Sequence, residues 1–73
     1  MKLQNFTQQD GYRFELVFKN GEIKNADLKN LIGHYVELNE LKTARIDNEW
    51  GCLEFKNGCV DIEPKTLYRY VTS

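Results

Sequence analysis

The chain has 73 residues, 41% of them hydrophobic, with four Phe, four Tyr, one Trp and a formal net charge of −1. That is enough apolar content for a packed core and too much for intrinsic disorder. No dense basic stretch marks a nucleic-acid footprint, and no acidic run imitates a phosphate backbone. Nothing approaches the ~18 apolar residues of a membrane span, and Met1 is followed by no apolar signal core. The expectation is a soluble cytoplasmic protein, one domain over residues 1–73, with a core thin enough that a partner or oligomer would help it.

In chain order, residues 2–7 read as a short leading strand and Gln8-Gln9-Asp10-Gly11 as a polar turn. Tyr12 to Phe18 alternates as a strand, and Glu22 to Ala26 returns from it through Asn20-Gly21. Asn-Gly between alternating apolar residues is the strongest short hairpin signal, because a type I′ turn needs φ > 0 at both central positions. A two-residue turn there sets Lys19 opposite Glu22 and Phe18 opposite Ile23, so Phe14, Leu16, Phe18 and Ile23 share one face. Asp27 then offers an N-cap to a short helix over 28–32, which Gly33 closes at a C′ position.

From His34 to Lys42 the pattern is weaker. Tyr35, Leu38 and Leu41 have helical spacing without a visible capping box, and Leu38 and Leu41 are expected to point inward. Thr43 to Asp47 alternates as a strand, and a longer loop through Trp50 and Gly51 leads back into Cys52 to Lys56. Here the chain repeats itself: Leu16-Val17-Phe18-Lys19-Asn20-Gly21-Glu22-Ile23 recurs as Leu53-Glu54-Phe55-Lys56-Asn57-Gly58-Cys59-Val60. A second two-residue turn at Asn57-Gly58 puts Leu53, Phe55, Val60 and Ile62 on a core face. Cys52, Glu54, Lys56, Cys59, Asp61 and Glu63 then face solvent. Pro64 opens a final helix, where its missing N–H does no harm, with Leu67 and Val71 on one side. The fold expected is α+β: a small antiparallel sheet, or two, from two pseudo-repeated Asn-Gly hairpins covered by one or two short helices.

The residues for chemistry are sparse. In the expected register Cys52 and Cys59 lie more than about ten ångström apart, beyond the ~7 Å that a disulfide spans. Both are read as free thiols in a reducing compartment. A metal site needs more ligands than two separated Cys and His34, and a nucleophile needs a base that only His34 supplies. No cofactor and no enzyme activity are expected. Gly58-x-x-Asp61-x-x-Pro64 is read as structural, with Gly58 in the turn, Asp61 bonding backbone amides near the helix start and Pro64 fixing its first turn. Trp50 has two readings, a cover over a small core or an exposed interface anchor. Tyr68 and Tyr70 near the C-terminus are taken with Trp50 and Arg45 as interface residues.

The motifs resemble a family. Tyr12-Arg13-Phe14-x-Leu16-x-Phe18-x-Asn20-Gly21, Asp27-Leu28, Arg45-Ile46-Asp47 and Gly58-Cys59-Val60-Asp61-Ile62-x-Pro64-x-x-Leu67-Tyr68 are similar to the small prokaryotic family called domain of unknown function 2442, over roughly residues 12–68. Family members often carry Trp where Phe55 stands, and the stretch between Gly33 and Thr43 diverges here. The family is often encoded beside another short one, domain of unknown function 4160, in arrangements like toxin–antitoxin pairs. The resemblance implies a small accessory or antitoxin-like protein and no established activity.

The function expected is therefore a non-enzymatic protein-interaction module that meets a protein partner, in a hetero-complex or a homodimer. Two alternatives stand beside it. One is a nucleic-acid-binding regulator, if Arg13, Arg45 and Arg69 form a stripe. The other is a small inhibitor from a mobile element acting on a different protein.

Overall fold

The computed structural model describes all 73 residues. The alternating stretches become six strands: β1 (Leu3–Gln8), β2 (Arg13–Phe18), β3 (Ile23–Asp27), β4 (Arg45–Asp47), β5 (Cys52–Phe55) and β6 (Val60–Ile62). They form two antiparallel three-stranded sheets, ordered β1-β2-β3 and β4-β5-β6. Between the sheets in sequence lie helix α1 (Lys29–Ile32) and a 3₁₀ helix (Leu38–Thr43), and α2 (Pro64–Thr72) follows the second sheet. The protein is a small α+β domain.

The central strands carry the core. Phe14, Leu16 and Phe18 from β2 and Leu53 and Phe55 from β5 are fully buried, joined by Leu3, Leu28, Ile32, Val36, Leu41, Ile62 and Leu67. Phe14 meets Phe55 edge to face at a centroid distance of 6.1 Å, so the two sheets share one core. A bulge between Leu3 and Asn5 in β1 reconciles two residues three apart. Because of it Leu3 and Phe6 both lie opposite inward residues of β2, Phe18 and Leu16.

The two Asn-Gly stretches turn differently. At Asn57-Gly58 the pairing runs Phe55 with Val60 and Leu53 with Ile62, the register expected for a two-residue turn. The bend itself is wider than the expected two-residue turn: Lys56, Asn57 and Gly58 all take positive φ, 57°, 56° and 85°. The Gly58 and Cys59 N–H groups donate to the Phe55 and Lys56 carbonyls at 3.2 Å, and the Lys56 N–H goes to the Thr43 hydroxyl instead of to Cys59. At Asn20-Gly21 only Gly21 is left-handed, with φ +90°. The Phe18 N–H donates to the Glu22 carbonyl, so Lys19, Asn20 and Gly21 make a three-residue loop and Val17, not Phe18, faces Ile23. A one-residue slip exchanges the faces of a strand. Ile23, expected in the core, is 60% exposed. Glu22, expected outside, comes round beneath α2.

Other expectations are corrected around the helices and in β5. Gly33 is right-handed, with φ −59°, and not a left-handed cap. What excludes a side chain there is the Lys29 carbonyl, 2.5 Å from where a Cβ would sit. A capping box does exist at the 3₁₀ helix, with Glu37 in the place of the usual hydroxyl residue and Glu40 reaching back to it. Leu41 is buried as expected, but Leu38 is 64% exposed and Val36 takes the core position instead. Cys52 and Glu54 are buried rather than solvent-facing, because β5 is the middle strand with neighbours on both sides.

Candidate functional site

Beside the shared core runs a seam that the fold leaves open. The Asp27 carboxylate accepts the Lys29 N–H at 2.9 Å and starts α1, which turns Leu28 and Ile32 inward and leaves Leu31 half-buried on the rim. Beyond Gly33 the N–H groups of Tyr35 and Val36 both donate to the Ile32 carbonyl. This tight bend drives Val36 into the core and leaves Tyr35 64% exposed. Opposite lies β6, an edge strand leading directly into α2. Between them is a groove of about 220 Å³ walled by Leu31, Ile32, Tyr35, Val60 and Ile62, with Asp61 and Glu63 beside them. That volume falls below the ~300–1,000 Å³ of sites enclosing small molecules. It suits side chains of another polypeptide.

The groove has an acidic wall without counter-ions. The ion pairs of the molecule are Lys24–Glu22, Arg45–Glu54 and Lys56–Glu40, and none includes Asp61 or Glu63. A second, wider concavity of about 550 Å³ is lined by Tyr12, Gly33, Glu37, Leu38 and Asn39. The Tyr12 hydroxyl there is already committed to the Val36 carbonyl at 2.5 Å.

The interface residues expected from sequence are scattered over different tasks. Trp50 is 65% exposed at the tip of the β4–β5 loop and covers no core. Tyr68 packs edge to face on Phe18 at 5.1 Å and donates its hydroxyl to the Glu22 carboxylate at 2.5 Å. Tyr70 donates to the Asp27 carbonyl at 2.9 Å. Both tyrosines thus seat α2 against the first sheet. Arg45 pairs with the carboxylate of Glu54, its neighbour on β5. Asn20, Gly21, Asn57 and Gly58 form the two turns, and Pro64 occupies the first turn of α2. Asp61 departs from its expected role: it is exposed, lies opposite Glu54, and bonds no amide at the helix start. Sequence reasoning missed the groove. Tyr35 was visible there only as one of three residues at helical spacing.

For covalent chemistry the arrangement offers little. Cys52 is buried and Cys59 exposed, both as free thiols. Burial, then the nearby carboxylates of Asp61, Asp47, Glu63 and Glu54, push the Cys52 thiol above its ordinary range, which disfavours the nucleophilic thiolate. His34 is exposed in the turn after α1. No group of three or more His, Cys, Asp or Glu side chains is placed to hold a metal ion. No helix is long and apolar enough to cross a membrane.

The fold and the open seam define a small α+β domain with a short free strand edge beside an apolar, acid-walled groove. The chain belongs to the family described as a protein of unknown function, domain of unknown function 2442, whose model matches residues 4–73. No curated protein and no solved structure matches it.

Proposed function

We propose that the protein is a non-enzymatic interaction module that binds a protein partner, its sharpest form being an antitoxin-like partner of a small protein encoded beside it. The observation that carries this reading is the groove along β6, with Tyr35 exposed over it and serving no contact in the core. Exposed aromatics beside a groove are the usual anchors of protein interfaces. The reading sets the protein in the cytoplasm, in keeping with two cysteines that stay unpaired. It assigns no cofactor. The mixed surface, with Arg45 already paired to Glu54, favours a protein over a nucleic acid.

The test uses the tagged full-length chain recovered from its native host, beside Tyr35→Asp and Trp50→Ala. A stoichiometric complex that Tyr35→Asp abolishes without altering the melting temperature is the expected result. Co-expression with the neighbouring gene should show a growth phenotype. Recovery of the chain alone, with no such phenotype, overturns the reading.

A further inference from the structure

Across the outer face of the second sheet the registers align Arg45 on β4, Glu54 on β5 and Asp61 on β6 in one row. The guanidinium of Arg45 pairs with Glu54, and Asp61 at the open end has no cation. The backbone at that end is also unfinished. The Lys56 N–H donates to the Thr43 hydroxyl on the β4 side, so the carbonyl of Phe55 in the same peptide faces β6. Alternation along the ladder then makes Phe55–Val60 and Leu53–Ile62 the hydrogen-bonded pairs. The N–H and C=O groups of Asp61, between those two pairs, therefore point away from β5. None of the hydrogen bonds in turns, loops or caps uses them. An unpaired strand edge is a template for another strand.

We propose that β6 is completed by an extended segment of a different protein whose residues alternate apolar and basic; this rests on the interaction-module reading above. An added strand continues the alternation of β6. Its side chains on the inner side enter the groove alongside Val60 and Ile62, against Leu31 and Tyr35. Those on the outer side fall beyond Asp61, where a lysine or arginine ends the row with the charge it lacks. A second copy of this chain fits poorly at the same edge. Antiparallel self-pairing centred on β6 sets Asp61 directly against Asp61 of the other copy, and like charges directly opposite are destabilising.

The probe is a short capped peptide of alternating valine and lysine, with a valine–glutamate peptide and a backbone N-methylated valine–lysine peptide as controls. Binding is read on the full chain by amide NMR shifts at low salt. The expected result is a response confined to residues 31–35 and 60–63, weakened roughly fivefold or more by Asp61→Lys. It should be lost on N-methylation, and Asp61→Lys should favour the glutamate peptide. Equal binding of the N-methylated peptide, or diffuse shifts over all exposed carboxylates, overturns the proposal. So does a concentration-dependent homodimer through β6, or no response at all. The two readings fail separately: a host complex lost with Tyr35→Asp but untouched by Asp61→Lys leaves the module standing and removes the added strand. No host complex with either chain removes the module.

Discussion

At the scale of single residues, Gly51 is constrained both by its own backbone and by a distant neighbour. Its φ is +74°, and a Cβ would sit 2.6 Å from the Lys2 Cβ and 3.1 Å from the Lys2 backbone. The Leu3 N–H also donates to the Gly51 carbonyl at 3.1 Å, so the glycine is where β1 meets the second sheet. Gly51→Ala is expected to cost about 1–3 kcal/mol, measured by chemical denaturation. Nothing in the local sequence distinguishes it from any loop glycine, because the reason lies in a residue 49 positions away in the chain. The cysteines separate as sharply. Cys59 is exposed and Cys52 is buried with its thiolate disfavoured, so iodoacetamide at pH 8 should alkylate Cys59 first. Cys52 should react only under denaturant, as mass spectrometry would show. Rapid labelling of Cys52 in the folded protein would contradict the burial of β5.

At the scale of elements, the final helix is held by chemistry that depends on pH. The Tyr68 hydroxyl, then the Asn20 amide, hold the Glu22 carboxylate below its ordinary value of 4.5. The same bond to Glu22 raises Tyr68 above 10.0. A lowered carboxylate contributes stability that is present above its unfolded value and is lost as pH falls through the folded one. A raised phenol contributes stability present below its unfolded value and lost as pH rises through the folded one. Tyr68→Phe should therefore lower the melting temperature at pH 7 and make little difference at pH 3. An equal difference at both would remove the bond from the account. The existence of α2 was legible in Pro64 and Leu67, and the core strands in the alternation of Phe14, Leu16 and Phe18. The loop length at Asn20-Gly21 was not, since Asn-Gly serves both a two-residue turn and a three-residue loop ending in a left-handed glycine. The groove was equally hidden, because it arises where α1 and β6, distant in sequence, come side by side.

At the scale of the whole molecule, each sheet is a meander of consecutive strands, while the core that fills the space between them belongs to both. Every strand pairing is local, which favours rapid folding. Phe14 and Phe55 belong to opposite halves and are buried by each other's sheets. A cut at the exposed turn after His34 would thus give two fragments, each with a complete set of strand partners and neither with a closed core. Each fragment alone should show the circular dichroism of an unfolded chain, and mixing the two at equal concentration should restore the native spectrum. A fragment that folded unaided would mean the halves are separate domains. Reassembly from both would make the chain a natural split reporter, joined by packing rather than by its backbone.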